Sequence, residues 1–396
     1  MRPGLAKAWR PVSAGLYALL LAAIPAAAAA QAVGIDKRNR TVTAQMRALP
    51  VLVGGRVSAR PLGKPMPAGA TAYSHQWPGV YFEGAFTGER VVVKLDDPVN
   101  EYRLLIDGAA PIALDRLGKA EVTVSGLGVG PHRIRLEKVT ESIAARATFA
   151  GFYVPAIQEA LGAPARIRQI EFVGPSGTAG YGNRSTERTC DLEQVRASTD
   201  TQQAYPALIA KHFDADYQIN AISGRGLVRN IDGVMPDHSF SAVYPYIFLD
   251  RTEPYRDLAW QPQVVELVLV ADFMGSLRQG ERWTRLDDLV ADYLGAYAAF
   301  LADLRRRAPG AAVVVQWFDE SQIPEGPDRA LAERLRAGIG EAARAAGTRR
   351  IEFMVPAGLV LENTGCNHHA NLADHRKVAD AYIRWIEARP GLWEGK

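Results

Sequence analysis

Cysteine is nearly absent from this chain: Cys190 and Cys366 are the only two in 396 residues. Two thiols without histidines at ligand spacing do not make a zinc site, and they are too few for a disulfide-built scaffold. They can pair with each other or stay free. Excess charge is missing too. Lys and Arg number 46 against 43 Asp and Glu, a formal +3, and no basic cluster is interleaved with aromatics, so nothing points to nucleic acid. Arg305-Arg306-Arg307 reads instead as the last turn of a helix, where cations suit the helix dipole. The glycines form neither a Gly-x-Gly-x-x-Gly nor a Gly-Lys-[Ser/Thr] phosphate loop. Beyond the N-terminus no apolar run approaches bilayer length, and no internal repeat or low-complexity tract stands out.

What the N-terminus does have is the layout of a secretory signal over residues 1–32. Arg2, Lys7 and Arg10 precede an apolar core from Leu16 to Ile24, followed by Pro25 and an alanine run with Ala28-x-Ala30 or Ala30-x-Ala32 as processing site. An uncleaved anchor is the alternative, but the core is short and Pro25 interrupts it. The mature chain is expected to be soluble, secreted or periplasmic, and off the membrane. In an oxidising compartment a bond between Cys190 and Cys366 becomes an option if their loops meet.

The mature chain divides in two. From residue 33 to 158, short β-like segments (Leu49–Val53, Val80–Phe82, Arg90–Leu95, Tyr102–Ile106, Glu121–Val124, Arg133–Leu136, Thr148–Val154) are separated by turn signals such as Asp107-Gly108. Such spacing without a helical period indicates a β-sandwich, expected to be a jelly roll. Pro155, Gly162 and Pro164 mark a break. From 165 to 396, apolar runs at Ile170–Val173, Gln218–Ile222, Val264–Val270, Ala312–Trp317 and Ile351–Val355 alternate with helical patterns. That alternation calls for a five-stranded parallel sheet with helices on both faces. The clearest helix spans Arg285–Arg307, with Thr284 placed to cap it and Asp287 three residues on. Asp328–Ala346 and Ala373–Ala388 are two more.

The second half is organised around Gln169-Ile-Glu-Phe-Val-Gly-Pro-Ser-Gly-Thr-Ala-Gly-Tyr-Gly-Asn183, a buried strand running into a glycine-rich turn that exposes Ser176. Ligands of such sheets bind beyond the carboxyl ends of the strands, so Ser176 is the candidate nucleophile. An incidental serine in a strand-to-loop turn is the bland alternative. A serine hydroxyl needs a base, and Gly365-Cys-Asn-His-His-Ala-Asn-Leu-Ala-Asp-His375 offers histidines just before the last helix. His369 and His368 compete for that role, unless both are surface residues; His375 reads as a packed helix residue.

These segments resemble the SGNH (GDSL-type) hydrolases, and among them carbohydrate esterase family two. Gly174-Pro175-Ser176 with Gly180-Tyr-Gly-Asn183 stands for the first block, Asn220-Ala-Ile-Ser-Gly-Arg-Gly-Leu-Val-Arg-Asn230 for the second, Leu269-Val-Ala-Asp-Phe273 for the third, and the Gly365 segment for the last. Trp77-Pro-Gly-Val-Tyr-Phe82 and Gly130-Pro-His-Arg-Ile-Arg-Leu-Glu-Lys-Val-Thr-Glu141 resemble the family's N-terminal domain. The resemblance implies His369 as base, Asn371 as a helix cap, and backbone N–H groups of Ser176 and Gly224 as donors to the oxyanion. It implies a Ser-His dyad whose imidazole is held by a backbone carbonyl, because Cys366 stands where related hydrolases carry an aspartate. No metal and no organic cofactor are implied.

Two departures bear on activity. Pro175 replaces the usual block-one aspartate, and Ala271 replaces the asparagine that should be a third oxyanion donor. Loss of one such donor costs about a hundred- to thousandfold in turnover. The resemblance therefore implies an exported O-acetylesterase, attenuated, acting on acetylated polysaccharide or oligosaccharide. A degenerate esterase that binds glycan without cleaving it, or an acetyl transferase using the same nucleophile, stays open at this stage. Trp317, ending the fourth strand, is the candidate sugar-stacking residue, with Trp260 and Trp283 as others; core packing is the alternative for all three.

Overall fold

The computed structural model describes residues 31–348, 350–356 and 358–394. The expected export signal lies almost wholly outside the described residues, and Ala32 already opens the first strand, Ala32–Asp36. Among the described residues no helix is long and apolar enough to cross a membrane.

Two antiparallel sheets make the N-terminal half. One runs in the order Ala32–Asp36, Gly118–Ser125, Arg90–Asp97, Ala147–Val154, Thr71–His75, Val57–Pro61; the other runs Ala160–Leu161, Tyr81–Thr87, Pro131–Lys138, Glu101–Ile106, Ile112–Asp115. Alternation explains how they pack: in Glu101–Ile106 the buried residues are Tyr102, Leu104 and Ile106, and they meet Val91, Val93 and Leu95 of the facing sheet in one core. Val92 points the other way yet is also buried, because Tyr153, Met46, Leu62 and Met66 cover that outer face. Six strands escaped the sequence reading: Ala32–Asp36, Arg47–Ala48, Val57–Pro61, Thr71–His75, Ile112–Asp115 and Ala160–Leu161. Ala32–Asp36 and Val57–Pro61 are largely exposed edge strands and Thr71–His75 is a half-buried inner one, and the pairing of all three comes from neighbours and not from their own pattern. Ala160–Leu161 still pairs with Tyr81–Thr87, so the sandwich runs past residue 158.

The C-terminal half is a five-stranded sheet in the order Ala215–Ala221, Arg168–Gly174, Val264–Leu267, Ala312–Gln316, Ile351–Met354. Every neighbouring pair is parallel. Helices Leu286–Arg307 and Pro327–Ala345 pack on one face, and Tyr205–His212 and Leu372–Glu387 on the other. The first strand in sequence is second in space, so the chain leaves it once to each side and opens a crevice at its carboxyl end. Ser176 stands there.

Helix Leu286–Arg307 buries Leu289, Val290, Tyr293, Tyr297, Phe300, Leu301 and Leu304, the stripe its periodicity predicts. Its expected cap is different. Arg285, not Thr284, holds the N-cap position, and no side chain caps it; Asp287 instead binds Arg285 and Arg334. At Asn371 the cap is as expected: its side chain accepts from Asp374 N–H, and the Asp374 carboxylate accepts from Asn371 N–H.

The two halves share their cores. Tyr81, on a sandwich strand, packs in the core of the C-terminal half, lies against Tyr217 with ring centroids 4.6 Å apart and donates to Asp216 at 2.7 Å. Buried Arg56 of the sandwich pairs with buried Glu171 at 3.3 Å and lies 4.2 Å from the Tyr244 ring centroid. A chain built this way carries its sandwich as a structural part of the C-terminal half, not as a tethered module.

Candidate active site

Strand Arg168–Gly174 ends at a glycine because nothing larger fits: a Cβ on Gly174 would sit 2.1 Å from Thr178 Oγ1. Pro175 then turns the chain with an extended backbone into a single helical turn, Ser176–Ala179. Proline at this point gives up its own N–H, while that of Ser176 remains. Among the described residues neither Ser176 N–H nor Gly224 N–H has a protein acceptor. Gly224 adopts φ +74°, a conformation other residues rarely take.

The histidine arrives from the far end of the chain. His369 Nε2 lies 2.7 Å from Ser176 Oγ, and His369 Nδ1 donates to the carbonyl oxygen of Cys366 at 2.9 Å. That second bond settles the tautomer: with Nδ1 protonated, Nε2 carries the lone pair that faces the serine. Tyr181 packs on the imidazole with ring centroids 4.4 Å apart, and its hydroxyl accepts from Asn367 Nδ2 at 3.0 Å. Half-buried in this way, His369 has its pKa pulled below the ordinary 6.5 by desolvation, against the two backbone carbonyls that favour its charged form. His368 is exposed, and the bond to Ser176 is made by its neighbour. His375 is buried, accepts from Tyr205 N–H at 3.2 Å and is packed as expected.

The serine and histidine loops are tied to each other. Cys190 and Cys366 form a disulfide, Cys366 N–H donates to Gly182 O at 3.2 Å, and Asn367 N–H donates to Arg188 O at 2.7 Å. Gly182 is required here, because a Cβ would come within 2.3 Å of Cys366 Cβ. Asn183, for its part, brackets Asp200 through both ends of its amide, at 2.9 Å each.

The loop carrying Gly224 is held from two sides. Asp272, fully buried, accepts from the N–H groups of Leu227, Val228 and Arg229 at 2.7, 2.6 and 2.8 Å. Burial pushes this carboxyl up to about 6 in spite of those donors. From the sandwich, Glu141 accepts from Ser223 N–H at 2.8 Å and from Ser223 Oγ at 2.6 Å, one residue before Gly224. Sequence reasoning missed this carboxylate; its only signal was its place at the end of the Gly130–Glu141 segment. Ala271 is buried and brings no polar side chain.

Trp317 needs correction. Its ring is 2 % exposed, sits in the core with Phe353 and donates to Glu320 at 2.8 Å, so it presents no face to a sugar. Trp260 is buried as well and points its N–H at Glu171.

Comparison with known proteins agrees with this geometry. Residues 63–164 match the carbohydrate esterase 2 N-terminal family model. An acetylxylan esterase / glucomannan deacetylase of Cellvibrio japonicus is 38% identical over 349 residues, covering 87% of this chain and 92% of that protein. The chain belongs to carbohydrate esterase family two. It is an esterase hydrolase with the family's two-part build. Among solved structures, a carbohydrate esterase whose active site is described as having divergent catalytic and non-catalytic binding functions superposes with TM-score 0.78 at 34% identity, covering 88% of this chain and all 100% of the other. A family-two esterase of Clostridium thermocellum in complex with cellohexaose has the same fold, with TM-score 0.68 at 23% identity over 86% of this chain and 99% of that one.

Proposed function

We propose that this esterase is an exported carbohydrate O-acetylesterase that removes acetyl groups from polysaccharide or oligosaccharide through a Ser176–His369 acyl-enzyme. The observation that carries the reading is the 2.7 Å bond between Ser176 Oγ and His369 Nε2, with Nδ1 engaged by a carbonyl. Ser176 Oγ attacks the acetyl carbonyl carbon while Nε2 takes its proton. The tetrahedral oxyanion is met by the free N–H groups of Ser176 and Gly224. As the C–O bond to the sugar breaks, the imidazolium returns the proton to the sugar oxygen, leaving acetyl-Ser176. Water, deprotonated by the same imidazole, then releases acetate. The identity of the C. japonicus relative supports acetylated xylan or glucomannan as the substrate class. The signal-like N-terminus supports export, and the sandwich is taken as the family's jelly roll.

A second reading rests on Ala271 and Pro175: a weakened centre that binds glycan without turning it over. Acetate release from an aryl acetate and from acetylated xylan, beside Ser176→Ala, separates the two. Turnover by the wild type alone supports the esterase, and silence from both proteins makes glycan binding the account.

The base also sets a pH profile. A lowered imidazole pKa means the neutral form persists to lower pH, so kcat/KM should be flat from neutrality upward and fall only below pH 6.5. An acid limb centred above 6.5 on the aryl acetate would contradict His369 as the base in this setting.

Glu141 is a positioning residue. It reaches the reaction through Ser223 and Gly224, so Glu141→Ala should lower kcat about ten- to hundredfold with KM little changed. Loss confined to KM or to thermal stability would assign it a structural role only.

A further inference from the structure

Between the sandwich and the oxyanion loop lies a cleft of about 320 Å³, lined among others by Gln76, Arg146, Ile222, Arg225, His238 and Asp250. Most of its polar groups are spoken for. Arg146 pairs with Asp250 and donates to Thr252; Gln76 donates to Ile143 O at 2.9 Å and accepts from Leu249 N–H at 2.9 Å. Arg225 is the exception. It is 9 % exposed, yet among the described residues its guanidinium hydrogen-bonds only to the thioether sulfur of Met235, at 3.1 Å. The carboxylate nearest to it in charge terms, Glu141, is already committed to Ser223 by both oxygens.

A guanidinium so placed has lost part of its hydration and feels the charge of Glu141 without a carboxylate hydrogen-bonded to it, while its remaining N–H groups still reach solvent, an arrangement that leaves donors open to an anion from outside. Planar donors match a carboxylate in bidentate fashion, and charge-assisted bonds are about twice as strong as those to a neutral hydroxyl. The position matters equally. Arg225 follows Gly224 directly, so its side chain starts about 3.8 Å, one Cα step, from the residue that faces the reacting ester.

We propose that this cleft is a subsite for a carboxylate-bearing sugar, a uronic-acid unit attached beside the acetylated residue, with Arg225 as its anchor. The proposal rests on the esterase reading above and adds a preference among its substrates. An acetylated glycan that carries uronic acid is bound through the carboxylate, which fixes the neighbouring acetyl ester against Ser176. Neutral acetylated glycans lack that anchor.

The test compares acetate release from acetylated glucuronoxylan with release from the same polymer after its carboxyl groups have been reduced to alcohols. Each protein is read by its own ratio of kcat/KM on the two polymers, with an aryl acetate as control. Wild type should prefer the carboxylated polymer about tenfold, chiefly through KM, the size of a hydrogen-bonded charge. In Arg225→Met the ratio should fall to about one, and in Arg225→Lys to an intermediate value. A wild-type ratio of one overturns the proposal, as does a ratio unchanged in Arg225→Met. Should Arg225→Met fail to fold, the wild-type ratio and the lysine variant decide. Failure of the wild type on the aryl acetate would sink the esterase reading itself, whereas equal turnover of both polymers sinks the subsite alone.

Discussion

Ser176→Ala should reduce acetate release by about a millionfold, to whatever the oxyanion donors and binding alone sustain. The substitution removes one oxygen at the mouth of the crevice and leaves its surroundings in place, because Thr178 and Ala179, not Ser176, are the buried residues of that turn. Thermal stability should therefore be unchanged within about 0.5 kcal/mol. His369→Ala should fall nearly as far, and the double variant no further, since the two act as one unit joined at 2.7 Å. Additive losses in the double variant would show that the serine has another base. The expected wild-type rate is itself modest, because Ala271 offers no amide where a third donor would lower the barrier.

Opening the Cys190–Cys366 bond should cost stability and turnover together. The bond joins residues 176 apart in sequence, and closing so long a loop in the unfolded chain is worth about 5 kcal/mol at the chain-entropy limit. Its local effect falls on catalysis. Cys366 contributes the carbonyl that holds His369 Nδ1, and it is anchored by its sulfur on one side and by Gly182 O on the other. With the sulfur released, the bonds from Cys366 and Asn367 N–H and from Asn367 Nδ2 to Tyr181 remain, so the imidazole is loosened and not lost. Cys190→Ser/Cys366→Ser should accordingly keep a tenth or so of kcat and melt well below the wild type. Dithiothreitol should lower the melting temperature of the wild type and leave that of the double variant where it is. A variant with full kcat would show that the carbonyl keeps its place without the sulfur.

Much of this molecule could be read from residue patterns. Near-continuous apolar runs at Ile170–Val173 and Val264–Val270, each broken by one glutamate, announced buried parallel strands, and the stripe along Leu286–Arg307 announced a helix packed on one face. Asn371 ahead of a helical pattern announced its cap. Where patterns are weak, the reading failed. Thr284 has the composition of a cap but not the backbone position, since the helix starts one residue later. Trp317 ends a strand on the side of the site, and only its burial, with Phe318 stacked on the ring at 4.6 Å and Phe353 at 6.2 Å, shows that its face is covered.

The sequence by itself determined the two-part architecture and the alternation that builds the sheet, and it offered Ser176 and His369 as candidates for nucleophile and base, because periodicity and residue type are local properties. Tertiary structure alone decided that Ser176 and His369, 193 residues apart, share a hydrogen bond, that the two cysteines are joined, and that a sandwich carboxylate braces the loop of Gly224. It also decided that Arg225 is buried with a thioether, not a carboxylate, as its hydrogen-bond partner among the described residues. Those are relations between distant segments, and they exist only once the sheet has closed and the two halves have packed into common cores.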